Sequence, residues 1–540
     1  MLTAIGVGLL AASGLTAPGQ APGAGGVFRY SLDLDIDYVD PALAYHSLSW
    51  EVLYATCSML VGYPDAPAPR GARLVPDGAA AMPAVSPDGR TYTFRVRAGR
   101  RLSDGTPITA RSYERALERV LHRMIDSPGR RFYADIVGAK AFTNGRARRI
   151  RGLALLSGNR LRIRLERRAP DFLARLAMPF ACAVKADLPV VFQGVGAPVA
   201  GSGPYYVAGW ERGRRIVVRR NPHYRGTRPQ NLAAVVYDIG LPPASIKLRI
   251  DRGETDHGPI SPVAHAELGL RHGVRRSSPG RYFVNPGLTL RYLALNHERE
   301  LFGKPGGGRE AGLGNVRLKQ AVNFAIDRTA MVGQLGAYAA SFNDQYLPAA
   351  MPGFRNAAIY PTRPDLTRAR ELARGSTRGG KARLHTESRR PNLQLAQIVK
   401  ANLGEIGIDV EIWVSLICCR PDPSPRGEPF DIRLEAWRAD YFDPNDYLFL
   451  LDGRTIRPAY NTNISYFDSP EYNRKLARAA SLTGQARYRA FGALDLDLAR
   501  NAAPLASYAT DNDRRYFSAR VRGFFAHPVY GLDLAAIDVR

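Results

Sequence analysis

The stretch that decides the fold of this chain reads SPDGRTYTFRVR, residues 86–97. Its first four residues are typical of a turn, because Pro fixes one backbone angle and Gly accepts a left-handed conformation. From Arg90 to Val96 the residues then alternate with a period of two. This alternation predicts a strand that places Tyr92, Phe94 and Val96 on one buried face.

The residues around this strand predict further elements of both types. The turn SDGTP at 103–107 leads to Thr109, a favourable N-cap for a helix through about Leu121. Residues 153–165 are typical of a hairpin around the turn SGN at 157–159. Later in the chain we expect helices over 315–332 and 393–403, a strand over 408–414, and surface loops at 303–314 and 374–391.

Length and composition limit the classes of protein. A chain of 540 residues exceeds one ordinary core, so we expect two or three domains. Hydrophobic residues make up 45% of it, too many for a disordered chain, and several long apolar runs typical of a polytopic membrane protein are absent. The net charge of +26 comes from basic residues spread along the whole chain, so we predict no specific nucleic-acid site.

The N-terminal residues predict export. Residues 2–17 are apolar, small and uncharged, and a Pro/Gly/Ala tract follows to Gly26. This arrangement resembles the core of a secretory signal peptide with a flexible tether. Ser13 stands where a lipoprotein would carry its lipidated Cys, so the sequence does not support a lipid anchor. We expect the protein in the periplasm or at the outer face of the cytoplasmic membrane.

Each candidate motif for a catalytic or metal site lacks a residue that its chemistry requires. The acidic run at 33–37 is followed by Tyr38, where a calcium loop requires Gly. The GSG at 201–203 follows Ala200, so it is not a nucleophile elbow. The nine histidines show no paired metal spacing. We therefore predict a non-enzymatic protein without a metal or cofactor.

The order of several motifs resembles the family 5 extracellular solute-binding proteins of ABC importers, which include dipeptide- and oligopeptide-binding proteins. The resemblance runs from about Phe28 to the C-terminus. The segments that carry it are DP at 40–41, LVPD at 74–77, SPDGRTYTFRVR at 86–97, GSGPYY at 201–206, RNPHY at 220–224, RGETD at 252–256 and VRLKQAVNFAIDR at 316–328.

The resemblance implies an α/β fold of the periplasmic-binding-protein-like type II class, the Venus flytrap. Two lobes are joined by two crossing strands, and an extra domain is inserted in the first lobe. Carried onto this chain, a signal-like segment takes residues 1–26, lobe I takes 27–60, 198–279 and 501–540, the inserted domain takes 61–197, and lobe II takes 280–500.

The resemblance also implies a binding site. In peptide-binding relatives the ligand lies between the lobes as an extended strand, beside a Trp-containing strand and an Asp that pairs with its α-amino group. The matching segment here is LEAWRADYFDP at 434–444. We therefore assign Ala436, Trp437 and Arg438 to the ligand-facing strand and Asp440 to the ammonium contact, with packing in the core as the alternative for Trp437. Arg438 offers an alternative contact for a ligand carboxylate.

Two tyrosines and two cysteines complete the expectations. Tyr292 and Tyr45 fall near the cleft by the same matching, with packing in its wall as the alternative. Cys57 and Cys182 flank the inserted domain, so a disulfide between them would close its base; two buried free thiols are the alternative. The adjacent cysteines at 418 and 419 are expected to stay reduced or to pack separately.

The sequence thus predicts a monomeric receptor that captures a small solute and delivers it to the permease subunits of an ABC importer. Oligopeptides are the leading ligand class, and a nickel chelate, a sugar or another small solute is the alternative on the same fold. An exported hydrolase and a polyanion-binding surface protein are the alternatives from other classes.

Overall fold

The computed structural model describes residues 25–309, 311–388, 391–415, 427–459 and 461–540. Within these ranges the longer strands form three sheets, one in the first lobe, one in the inserted domain and one in the second lobe. The first sheet has the strand order Val27–Ser31, Ala234–Asp238, Arg215–Arg220 and Tyr205–Glu211. The inserted sheet has the order Ala84–Val85, Thr91–Arg95, Arg160–Arg164 and Leu153–Leu156. The second sheet has the order Ala340–Phe342, Leu505–Tyr516, Tyr282–Leu295, Ile432–Arg438, Lys381–Glu387 and Asp409–Ser415.

Helices and short strand pairs cover these sheets. The first lobe has the helices Ser47–Thr56, Pro243–Asp251 and Ala264–His272, and the inserted domain has Ala110–Leu121, Arg130–Tyr133, Ala139–Thr143 and Phe172–Leu176. The second lobe has Val316–Ala325, Arg328–Gln334, Leu366–Ala373, Asn392–Gly404, Asn445–Leu448, Pro470–Ser481 and Gly484–Asp497. Two-residue strands pair Val61–Gly62 with Val75–Pro76, Val521–Arg522 with Asp538–Val539, and Ala526–His527 with Gly531–Leu532.

The inserted domain follows its sequence pattern closely. The strand Thr91–Arg95 buries Tyr92 and Phe94, as the alternation predicted. The helix Ala110–Leu121 begins at Thr109, whose side chain and that of Ser112 form a capping box. The predicted hairpin is also confirmed, with its turn between the antiparallel strands at Leu156 and Arg160.

The second lobe departs from the sequence predictions in two places. The helix predicted over 315–332 is two helices, because Ile326 adopts an extended conformation and the carboxylate of Asp327 caps the next helix at the Ala330 amide, 2.8 Å away. The loop predicted over 374–391 contains the strand Lys381–Glu387, which buries every second residue. The predicted helix and strand that follow are confirmed as Asn392–Gly404 and Asp409–Ser415, and the helix connects the two parallel strands in a βαβ unit.

Two long strands join the lobes. Tyr282–Leu295 pairs antiparallel with Leu505–Tyr516 on both sides of an irregularity after Pro286. At one end Tyr282 and Phe283 pack in cores beside the first sheet, and at the other Leu293 packs in the core of the second lobe. The chain therefore passes between the lobes within each strand rather than at the border of 500 and 501. The α/β two-lobe fold is confirmed.

The helix Ser47–Thr56 lies between the first lobe and the inserted domain. Its Val52 packs in the core of the first sheet, whereas its Trp50 and Leu53 pack in the core of the inserted domain. A disulfide joins Cys57 to Cys182 immediately after this helix, with a Cα–Cα distance of 5.2 Å. The inserted domain is thus tied to the first lobe at its base.

Two expectations lie outside the described residues: the signal-like segment, apart from its last residues, and the cysteine pair at 418 and 419. None of the described helices combines the length and hydropathy that crossing a bilayer requires.

Candidate functional site

A cavity of about 230 Å³ lies between the two lobes. The first lobe contributes side chains from the helix Ser47–Thr56 and from the C-terminal segment, and the second lobe contributes the end of the strand Ile432–Arg438 with the loop after it. The lining residues are Tyr45, Ser47, Trp50, Glu51, Tyr54, Leu288, Ala436, Trp437, Arg438, Ala439, Asp440, Tyr441, Phe442, Val529 and Tyr530. The structure therefore brings together five of the six residues assigned to ligand contacts.

The last residues of the strand Ile432–Arg438 present one backbone edge to this cleft. On one side it pairs with the strand Tyr282–Leu295 along its whole length. On the other side Lys381–Glu387 pairs only with Ile432 and Arg433, so within the described ranges no strand pairs there with residues 436–438, which line the cavity. A free edge of this kind can accept an extended peptide as an added strand.

Asp440 is buried beside this edge and is paired with a residue from the inserted domain. Its Oδ2 atom lies 2.6 Å from Nη2 of Arg131. The same Arg131 nitrogen donates a hydrogen bond of 2.6 Å to the hydroxyl of Tyr45. Burial raises the pKa of Asp440 above its ordinary value, and the charge of Arg131 opposes that rise. A cation therefore already occupies the position assigned to a ligand ammonium.

Aromatic rings enclose the guanidinium of Arg131. Its central carbon lies 4.6 Å from the ring centre of Phe132, 5.3 Å from that of Trp437 and 5.5 Å from that of Phe449. Such rings stabilise a cation by their negative faces. No sequence pattern predicts this contact, because Arg131 is 309 positions from Asp440 and lies on a four-residue helix, Arg130–Tyr133.

The backbone at Asp440 is held by a second buried carboxylate. Asp446 accepts a 2.6 Å hydrogen bond from the Asp440 amide and one of 3.4 Å from the indole nitrogen of Trp437. Burial and the nearby charge of Asp440 raise the pKa of Asp446 well above its ordinary value. Asp446 thus positions both the proposed ammonium contact and Trp437, which belongs to the edge facing the cleft.

The remaining assigned residues divide between the cleft and the core. Ala436 and Arg438 are exposed on the cavity wall, and Arg438 has no carboxylate within 4.0 Å among the described residues. Tyr292 instead packs in the core of the second lobe. It lines neither this cavity nor the second cavity described below, so its role is packing behind the cleft wall. Glu51, which sequence reasoning did not assign, lines the cavity and pairs with Arg515 at 2.7 Å.

Comparison with known proteins places this geometry in a family. Residues 73–457 match the bacterial extracellular solute-binding proteins, family 5 (middle). The chain is 23% identical over 464 residues to the probable D,D-dipeptide-binding periplasmic protein DdpA of Escherichia coli (strain K12), covering 84% of this chain and 82% of that protein. It is 23% identical over 414 residues to the periplasmic oligopeptide-binding protein OppA of Salmonella typhimurium (strain LT2), covering 72% and 71%.

Solved structures show the same fold. The clavulanic acid biosynthesis oligopeptide binding protein 2 superposes with a TM-score of 0.84 at 24% identity, covering 96% of each chain. The Escherichia coli murein tripeptide binding protein MppA superposes with a TM-score of 0.73 at 22% identity, covering 95% of this chain and 98% of that one. With the match over most of the sequence, these findings show that the chain belongs to the bacterial extracellular solute-binding proteins of family 5.

Proposed function

We propose that the chain is the exported substrate-binding protein of an ABC importer and that it captures a peptide between its lobes. The observation that carries the proposal is the backbone edge of residues 436–438, which faces the cleft without a described neighbouring strand, beside the buried carboxylate of Asp440. Relatives whose names specify peptide binding and a periplasmic location support it. The family consists of binding proteins, so we propose no catalytic step.

The peptide would bind as an added strand. Backbone hydrogen bonds to this edge form in the same way with every peptide, so the site tolerates different side chains. The α-ammonium would replace the guanidinium of Arg131 at Asp440, a contact of the same charge and donor type. Arg438, exposed on the same wall, is available to a ligand carboxylate.

Ligand contacts on both sides of the cleft would favour closure. Trp50 and Tyr45 line the cavity from the first lobe, and Trp437 and Asp440 line it from the second. A ligand that contacts both lobes only when they are close together stabilises the closed state by that difference in affinity. The closed form would then deliver the peptide to separate permease subunits.

Titration calorimetry with a tripeptide pool tests this function, with glucose, a nickel–histidine chelate and heparin as controls. We expect saturable binding of peptides at one site per chain and no saturable heat with the three controls. Saturable binding of the sugar or chelate without peptide binding would support the other small-solute receptors. Heparin binding alone would support a polyanion-binding protein.

A further inference from the structure

A second cavity of about 730 Å³, which we call the chamber, adjoins the cleft on the far side of Arg131. The inserted domain forms one wall and the second lobe the other. Tyr441 lines both this chamber and the cleft, and Arg131, which lines the chamber, is bonded to Asp440 in the cleft. The chamber therefore begins at the end of the cleft where the ligand ammonium is proposed to bind.

The walls of the chamber are strongly basic. Seven cationic and four anionic side chains are among its 23 lining residues, an excess of three positive charges. The whole chain carries an excess of 26 over 540 residues. The excess per residue is therefore more than twice as great in the chamber, so the arginine-rich composition of the chain does not by itself account for it.

The carboxylates of the chamber are already engaged by other partners. Asp171 pairs with Arg175 at 2.9 Å, Asp135 with Arg167 at 3.2 Å, and Asp452 with Arg454 at 2.6 Å. The fourth, Asp446, accepts the hydrogen bond from the Asp440 amide.

Three cations of the chamber have no counter-ion among the residues that the structure describes. Lys140, Arg168 and Arg457 have no carboxylate within 4.0 Å among the described residues, and all three are exposed. Lys140 and Arg168 belong to the inserted domain, whereas Arg457 belongs to the second lobe. Cations that surround a concave space concentrate the field there and attract an anion. An anion bound between these walls would also contact both units and favour their closed arrangement.

We propose that the chamber binds an anionic group of the peptide, the side-chain carboxylate of an acidic residue at or next to its amino terminus. This inference rests on the proposed function, because Asp440 fixes the amino terminus at the entrance of the chamber. From that position the side chains of the first residues are the ones that reach into it. The chain is then a receptor that prefers peptides with an acidic N-terminal residue.

Calorimetric titration with the tripeptides Glu-Ala-Ala and Gln-Ala-Ala tests the proposal, because the two differ only in the charge at the first side chain. We expect the wild-type chain to bind Glu-Ala-Ala about tenfold more tightly. The triple variant Lys140→Gln/Arg168→Gln/Arg457→Gln should reduce the preference to about twofold or less and leave the affinity for Gln-Ala-Ala unchanged. The control Arg160→Gln/Arg162→Gln/Arg164→Gln removes the same charge from residues that do not line the chamber, and should keep the preference.

The outcomes separate this proposal from the one on which it rests. If both tripeptides bind the wild-type chain equally well, or if the triple variant keeps the preference, the chamber does not bind the anion and the peptide receptor stands. If neither tripeptide binds, the proposed function fails and the chamber proposal fails with it.

Discussion

At the scale of single residues, the proposed recognition of a peptide depends on the ion pair between Asp440 and Arg131. The sequence assigned Asp440 and Trp437 to the site because both lie in one short segment whose order of residues resembles that of known peptide receptors, and both line the cavity. It could not locate Arg131, since that contact forms only when the inserted domain folds against the second lobe. For Tyr292 the sequence left the cleft and packing in its wall both open, because its neighbours along the strand do not reveal which face of the sheet meets the cleft, and the structure shows packing.

Replacing Asp440 by Asn should weaken the binding of a tripeptide by about 1.5–3 kcal/mol, the scale of a hydrogen bond to a charged group. The side chain keeps its shape but loses the charge that attracts an ammonium. Calorimetry at pH 7.5 measures the change. The matched control Asp88→Asn alters an exposed turn in the inserted domain and should leave affinity unchanged. Equal affinities of the wild-type and Asp440→Asn chains would remove Asp440 from the site.

Replacing Arg131 by Gln should have the opposite effect. A ligand ammonium has to displace the guanidinium from Asp440, so removal of this internal competitor should strengthen tripeptide binding by about tenfold, equivalent to about 1.4 kcal/mol. The neighbouring variant Arg130→Gln is the control, since Arg130 bonds to backbone carbonyls of its own domain. Weaker binding in Arg131→Gln would mean that Arg131 contacts the ligand directly instead of competing with it.

At the scale of secondary-structure elements, the prediction succeeded where one face of an element is buried. Alternation identified the strand Thr91–Arg95, and the N-cap identified the start of Ala110–Leu121. It failed at Lys381–Glu387, where basic residues on the exposed face and nearby Gly and Pro suggested a loop. It also failed at Ile326, because the apolar pattern continues across the break and outweighed the N-cap signal of Asp327.

The Cys57–Cys182 disulfide should stabilise the junction between the helix Ser47–Thr56 and the inserted domain. It spans 125 residues, for which the entropy of the unfolded chain allows a contribution of up to about 4–5 kcal/mol. The double variant Cys57→Ala/Cys182→Ala should lower the free energy of unfolding in urea accordingly. Non-reducing peptide mapping of protein from the exported fraction provides the direct check. Free, alkylatable thiols at both positions would refute the bond.

At the scale of the whole molecule, buried contacts hold the inserted domain against the second lobe. Asp171 of the inserted domain accepts hydrogen bonds from Tyr441 at 2.9 Å and from Asn445 at 3.2 Å. The Arg131–Asp440 pair crosses the same boundary. The sequence predicted that the units exist and in what order, but these cross-contacts join residues hundreds of positions apart and follow only from the assembled fold.

The stability of the whole molecule should fall in mild acid because of a buried histidine. Burial and the neighbouring Arg515 lower the pKa of His257 to about 3, and Nδ1 lies 2.9 Å from the carbonyl of Tyr516. The unfolded chain binds a proton near pH 6.5 and the folded chain only near pH 3, so stability is fully present above about pH 6.5 and is lost progressively below it.

Urea unfolding at pH 7.5 and pH 5.5 measures this effect. His257 should account for a loss of about 1.4 kcal/mol in the free energy of unfolding between the two pH values. His257→Gln should remove that share of the pH dependence, whereas His46→Gln, at an exposed position, should retain it. An unchanged pH dependence in His257→Gln would show that this histidine does not contribute.

Native mass spectrometry with two tripeptide libraries, one with free and one with acetylated amino termini, tests the central claim most directly. The account predicts one tripeptide bound per chain from the free library and at least tenfold less from the acetylated library, because acetylation removes the charge that pairs with Asp440. Detection of only unliganded protein with both libraries, or equal binding of both, would contradict the claim that the protein is a peptide receptor that recognises the amino terminus at this site.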